Sequence, residues 1–112
     1  METKTKTQTF LGFAVKARKA VFGGNSVAAL KRAEVILISP DASENTLKEG
    51  KKLAAKLKCK AFVTDRPLEE MVFRSGVKIV AVTDKALGKA IAGNADGTLK
   101  EAGVEIKREG QN

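Results

Sequence analysis

Apolar positions return along this chain in two rhythms that take turns. From Gln8, the residues Phe10, Leu11, Phe13, Ala14 and Ala17 recur at three- and four-residue spacing, which gathers them on one face of a helix. Ala20 to Phe22 is then a short strand entering a glycine turn. A second helix is predicted from about Asn25 to Arg32, with Val27, Ala28 and Leu30 inward and Asn25 or Ser26 as its cap. Glu34 to Ser39 encloses Val35-Ile36-Leu37-Ile38, an unbroken apolar run that predicts a strand buried on both faces. Pro40 stops it.

Asp41 and Glu44 have the spacing of a capping box, so the next helix is expected from Asp41 to about Leu57. Leu47, Leu53, Ala54 and Leu57 form its inner face, and Lys48, Lys51, Lys52, Lys56 and Lys58 its outer one. Lys60 to Thr64 reads as a strand. Pro67 suits the first position of a short helix packed through Leu68, Met71, Val72 and Phe73. Val77 to Val82 is a second strand buried on both faces. Asp84 caps a helix from Lys85 to Ala92, closed by Gly93, within which Gly88 allows close packing. Residues 94–112 form a polar tail with at most a weak strand at Val104 to Lys107, so the core spans about residues 8–93 of one domain, 1–112. Helices alternating with strands give a sheet covered on both faces, an α/β sandwich.

Charge sharpens this picture. The net charge is +8, and residues 1–60 carry 13 Lys/Arg against 5 Asp/Glu, while residues 61–112 carry 8 of each. The surplus lies wholly in the first half, and a concentrated basic surplus points to a polyanion, nucleic acid before membrane. Hydrophobic residues make up 43% of the chain, enough for a folded core. The N-terminus is polar and no apolar run reaches the ~20 residues of a membrane span, so a cytoplasmic protein is expected.

Chemistry is constrained by what is missing. There is no His and one cysteine, Cys59, which excludes an internal disulfide, a Cys/His zinc site and His-based triads. Neither a phosphate-binding P-loop nor a dinucleotide fingerprint is present. Asp41, Asp65 and Asp84 each lie beside a strand and could be imagined around Mg²⁺, but each has a plainer role as a cap or turn residue. No enzyme activity, metal or cofactor is expected.

The remaining candidate is the glycine turn. Gly23 and Gly24 carry no Cβ, so backbone can approach a ligand closely there. The helix that follows opens with unpaired N–H groups suited to a phosphate. Lys19 precedes the turn, and Lys31 and Arg32 follow it.

Three stretches carry a resemblance to a known family: Leu11–Gly24 (LGFAVKARKAVFGG), Val35–Thr46 (VILISPDASENT) and Val77–Ile91 (VKIVAVTDKALGKAI). Together they resemble the ribosomal L-seven-Ae / L-thirty-e family, which binds kink-turn RNA, and within it the bacterial YlxQ-like branch. The resemblance covers about residues 8–93. It implies a three-layer α-β-α sandwich around a mixed four-stranded sheet, where alternation alone suggests an all-parallel one. It implies a ribosome-associated monomer bound to structured RNA, with rRNA as a candidate, whose sheared G·A pairs are read by the strand-to-helix turn. The family turn reads Gly-x-Asn-Glu, and Gly23, Gly24, Asn25 and Ser26 match it here, with Ser26 in place of the acidic residue. A second family contact corresponds to Arg74 to Lys78, where Val77 packs on an extruded base. The competing expectation is a protein-interaction or assembly module whose basic half meets an acidic partner.

Overall fold

The computed structural model describes residues 5–94 and 97–102. The element order is α1 (Lys6–Lys16), β1 (Ala20–Phe22), α2 (Gly24–Ala28), β2 (Val35–Ile38), α3 (Glu44–Leu57), β3 (Lys60–Val63), α4 (Leu68–Val72), β4 (Ile79–Val82), α5 (Lys85–Ala92) and β5 (Lys100–Glu101). The alternation expected from the apolar pattern is present throughout. The strands form one mixed sheet in the order β1-β4-β2-β3-β5. β2 and β3 run parallel, whereas β4 is antiparallel to both β1 and β2.

The sheet has five strands rather than four. The extra strand comes from the tail: Phe62 pairs with Glu101 and Val63 with Lys100. The Asn94 side chain accepts from Leu99 N and donates to Leu99 O, both at 3.0 Å, which folds this segment back onto the domain. Leu99 is buried in the core, so the core runs past residue 93. The possible strand at 104–107 lies outside the described residues.

Alternation along β2 sorts the core into two layers. Val35 and Leu37 point to the face covered by Leu11 and Ala14 of α1, Leu68 and Met71 of α4, and Ile91 of α5. Ile36 and Ile38 point to the other face, against Val27 of α2 and Leu53, Ala54 and Leu57 of α3. Burying each such aliphatic side chain is worth roughly 1.5–3 kcal/mol.

Several boundaries differ from the periodicity, each for a local reason. α2 ends at Ala28, not Arg32: Leu30 N and Ala29 N bond three residues back, to Val27 O and Ser26 O. The chain then unwinds to bring Ala33 and Val35 into the core, and Lys56 Nζ takes the freed Ala28 carbonyl at 2.8 Å. No side chain caps α2; Gly23 holds the cap position at φ +89°. α3 is capped by Ser43, whose hydroxyl accepts from Thr46 N at 3.1 Å, because Asp41 is engaged elsewhere. Pro67 is the cap of α4 rather than its first residue, in extended conformation with its carbonyl accepting from Glu70 N. Asp84 caps α5 as expected, accepting from Leu87 N at 2.8 Å.

Gly12, Gly50 and Gly88 sit in the interiors of α1, α3 and α5, and space distinguishes them. Gly88 packs against the Glu34 side chain, and a Cβ on Gly50 would fall 2.9 Å from Ile38 Cγ1 in the core. Around Gly12 a Cβ would meet nothing. Gly12→Ala is therefore expected to raise stability by about 0.5–1 kcal/mol through helix propensity. Gly50→Ala is expected to lower it by about 1–3 kcal/mol through overpacking. Urea unfolding of the two variants checks both signs.

Candidate nucleic-acid interface

The glycine turn stands at one end of the sheet. Gly23 N donates to Ile79 O at 2.9 Å, which seats the turn against the start of β4 and the loop that precedes it. The same end carries the loop after β2, since Ser39 N donates to Lys78 O at 2.9 Å, and the loop after β3, since Thr64 N donates to Ile38 O at 3.0 Å. Gly23, Gly24, Asn25 and Ser26 are thus brought together with Arg74, Val77 and Lys78.

A buried serine holds these loops in place. Ser39 is almost wholly enclosed, and its hydroxyl accepts from Leu68 N at 3.1 Å while donating to Asp41 Oδ1. One side chain therefore joins the end of β2, the start of α4 and Asp41. Lys78 Nζ meets Asp41 Oδ2 at 2.9 Å and Glu69 Oε2 at 3.7 Å. Glu69 also accepts from Gly76 N at 2.6 Å, closing the loop before β4. The hydrogen bond from Ser39, and then that from Lys78, hold the Asp41 carboxyl below its ordinary value. Asp41 in turn pushes the Lys78 ammonium up.

Two cations at this end are already engaged. Lys78 is ion-paired, and the Arg74 guanidinium lies 4.5 Å from the ring centroid of Phe22. Acidic groups are close by: Glu49 reaches from α3 so that a Cβ on Gly24 would lie 2.7 Å from its Cδ. A phosphate at the start of α2 would meet that carboxylate, and α2 is only five residues long. The anion cradle expected from the glycines is thus faced by a like charge.

Two residues of the loop before β4 bear on the second contact: Val77 is buried, as its apolar run predicts and against the part the resemblance gives it, and Phe73 is exposed. Val77 is 5% exposed and lies within the core, so it has no surface to offer a base. Phe73, expected to pack inside, is 82% exposed. It follows the last turn of α4 in left-handed conformation, φ +56°, and that reversal carries its ring out of the helix's apolar face. Phe73 forms one wall of a cleft floored by Gly12, Val15, Met71 and Val72 between α1 and α4. A residue at the end of a helical apolar pattern carries no sequence mark of such a reversal.

Lys19, Lys31 and Arg32 are not at the turn. Lys19 O accepts from Thr83 N at 2.8 Å, and Glu34 N donates to Val82 O at 2.8 Å, which puts all three at the opposite end of the sheet. The aspartates do not converge either: Asp41 and Asp65 flank the turn end, and Asp84 caps α5 at the other. Cys59 is half-buried, and burial, then the Glu34 charge, push its thiol up to about 11. No helix among the described residues is long and apolar enough to cross a membrane.

Ser39→Ala removes the acceptor of a buried N–H and is expected to cost about 1–3 kcal/mol in denaturant unfolding. It also moves the Asp41 carboxyl up toward its ordinary value, read by NMR titration. Because the folded-state value is depressed, Asp41 stabilises the fold above about pH 4, and this is lost as pH falls through the depressed value. The acid-side loss should be smaller in Ser39→Ala. Alkylation of Cys59 is expected to stay slow at pH 8 and to rise toward pH 11, as its raised thiol requires.

No family model matches the chain. No curated protein matches it. Among solved structures it is similar to a protein with unknown function from Bacillus halodurans C, with a TM-score of 0.74 over 83% of this chain and 99% of that one. The two sequences are 19% identical, and the likeness concerns the fold.

Proposed function

We propose that this chain is a non-enzymatic binder of bent, structured RNA of the kink-turn kind, in association with the ribosome, as its resemblance to the L-seven-Ae / L-thirty-e family implies. The observation that carries the reading is the convergence of the Gly23–Ser26 turn with the loop of Arg74 to Lys78 at one sheet end. A kinked RNA offers two things at once, unusual base-pair edges and an extruded base. The turn supplies close backbone approach and the Asn25 amide for the first. Phe73, beside an apolar cleft, supplies a stacking surface for the second, in the part the resemblance assigned to Val77.

The test is binding to a kink-turn RNA beside the same RNA with its G·A pairs replaced by Watson–Crick pairs, at two salt concentrations. A preference for the kink-turn that survives the higher salt is expected. Phe73→Ala should weaken kink-turn binding by about 1–3 kcal/mol, the worth of one stacked base. Gly24→Val should remove the preference, since its side chain stands where backbone would approach. Equal, salt-sensitive binding to both RNAs would overturn the reading in favour of a basic interaction module.

A further inference from the structure

The two ends of the sheet differ in charge, and the difference runs against the position of the glycine turn. At the turn end, Asp41, Glu44, Glu49, Asp65 and Glu69 stand around Lys78 and Arg74, which already have partners. The opposite end gathers the starts of β1, β2 and β3 with the finish of β4, as the pairs Ala20↔Val82, Val35↔Val82 and Val35↔Lys60 fix. Arg18 and Lys19 enter there before β1, Lys31 and Arg32 before β2, and Lys58 and Lys60 at β3. All six are exposed, and none makes an ion pair among the described residues.

The acids near this end, Asp84, Glu34 and Glu101 among the described residues, are fewer than its cations. Asp84 caps α5 through the Leu87 N–H, and half-buried Glu34 packs against Gly88 with its charge felt at Cys59. Glu101 stands on the edge strand in register with Phe62, two residues along β3 from Lys60. Four neighbouring strands at ~4.8 Å spread these cations over a platform roughly 15 Å wide. Of the exposed large apolar residues of the described chain, Phe13 is in the last turn of α1 and Phe73 follows α4, so neither stands among the strand-end cations themselves. The platform therefore has the chemistry of a polyanion-backbone contact rather than of a lipid-inserting surface.

We propose that Arg18, Lys19, Lys31, Arg32, Lys58 and Lys60 form a second RNA surface, a phosphate-backbone platform on the end of the sheet opposite the glycine turn. This rests on RNA being the partner. It divides the labour between the ends: the platform supplies salt-dependent affinity without regard to sequence, and the turn supplies discrimination. A chain with both surfaces meets two separate RNA segments, or two arms of one folded RNA.

The experiment compares Lys31→Ala/Arg32→Ala and Lys58→Ala/Lys60→Ala with Asn25→Ala, each first shown by circular dichroism to melt like the parent. Binding to the kink-turn RNA and to its Watson–Crick counterpart is titrated from 50 to 300 mM KCl. Each platform pair is expected to weaken binding to both RNAs by the same factor. It should also reduce the slope of log affinity against log salt by about two, leaving the preference between RNAs intact. Asn25→Ala is expected to do the converse. Platform variants with the parent's affinity and slope, in a protein that binds RNA, would overturn the platform and leave the turn reading standing. Uniform binding by the parent with the platform slopes reduced would overturn the kink-turn reading and keep the platform. A parent that binds neither RNA at 50 mM KCl would overturn both.

Discussion

Burial of β2 on both faces is the constraint on which the rest of the molecule depends. Val35, Ile36, Leu37 and Ile38 have no exposed surface, and β4 beside them is almost equally enclosed. A strand pair of this kind is stable only when helices cover both sides. The alternation Val35/Leu37 against Ile36/Ile38 then decides which helices lie together, α1, α4 and α5 on one face and α2 and α3 on the other. Slipping the register by one residue would exchange the two sets of side chains between layers whose shapes differ. Gly50 shows how tight that fit is, since its missing Cβ leaves room for Ile38.

The same two strands order the loops. β4 runs against β2, so the residues just before it meet the loop that leaves β2, and Ser39 and Asp41 find Leu68, Lys78 and, through Lys78, Glu69. A polar network of this kind is worth having only when its buried members are satisfied. Ser39 meets that condition, with its N–H and its hydroxyl both paired. The result is a rigid frame beneath the glycine turn and the loop of Phe73. On the reading proposed here, that frame favours recognition of a bent nucleic acid, because a preorganised surface loses less conformational freedom on binding.

Charge distribution is the second organising fact. Net charge alone suggests a basic protein that attracts polyanions, but attraction acts through the local field. Among the described residues, the turn end carries acids beside the engaged Lys78 and Arg74, whereas the opposite end carries six exposed cations that make no ion pair. On the reading proposed here, long-range attraction and short-range discrimination reside on different faces.

Much of the fold was legible in the residues themselves. Continuous apolar runs mark β2 and β4, three- and four-residue spacing marks α1 and α3, and Asp84 marks the start of α5, because each signal is local and nothing distant competes with it. Where a partner remote in sequence intervened, local reading failed. Asp41 was free to cap α3 until Lys78 and Ser39 claimed it, and Ser43 capped instead. Phe73 turned outward through its own left-handed backbone, which no residue pattern marks, while Val77 took the buried place that the apolar run gave it rather than the exposed one the resemblance implied. The tail became an edge strand through Asn94 and the free side of β3. Of the candidate site, the sequence by itself determined the glycine turn and the count of its cations. The tertiary structure alone decided that Lys19, Lys31 and Arg32 stand at the far end of the sheet, because strand direction and crossover, not proximity along the chain, set which residues share a face.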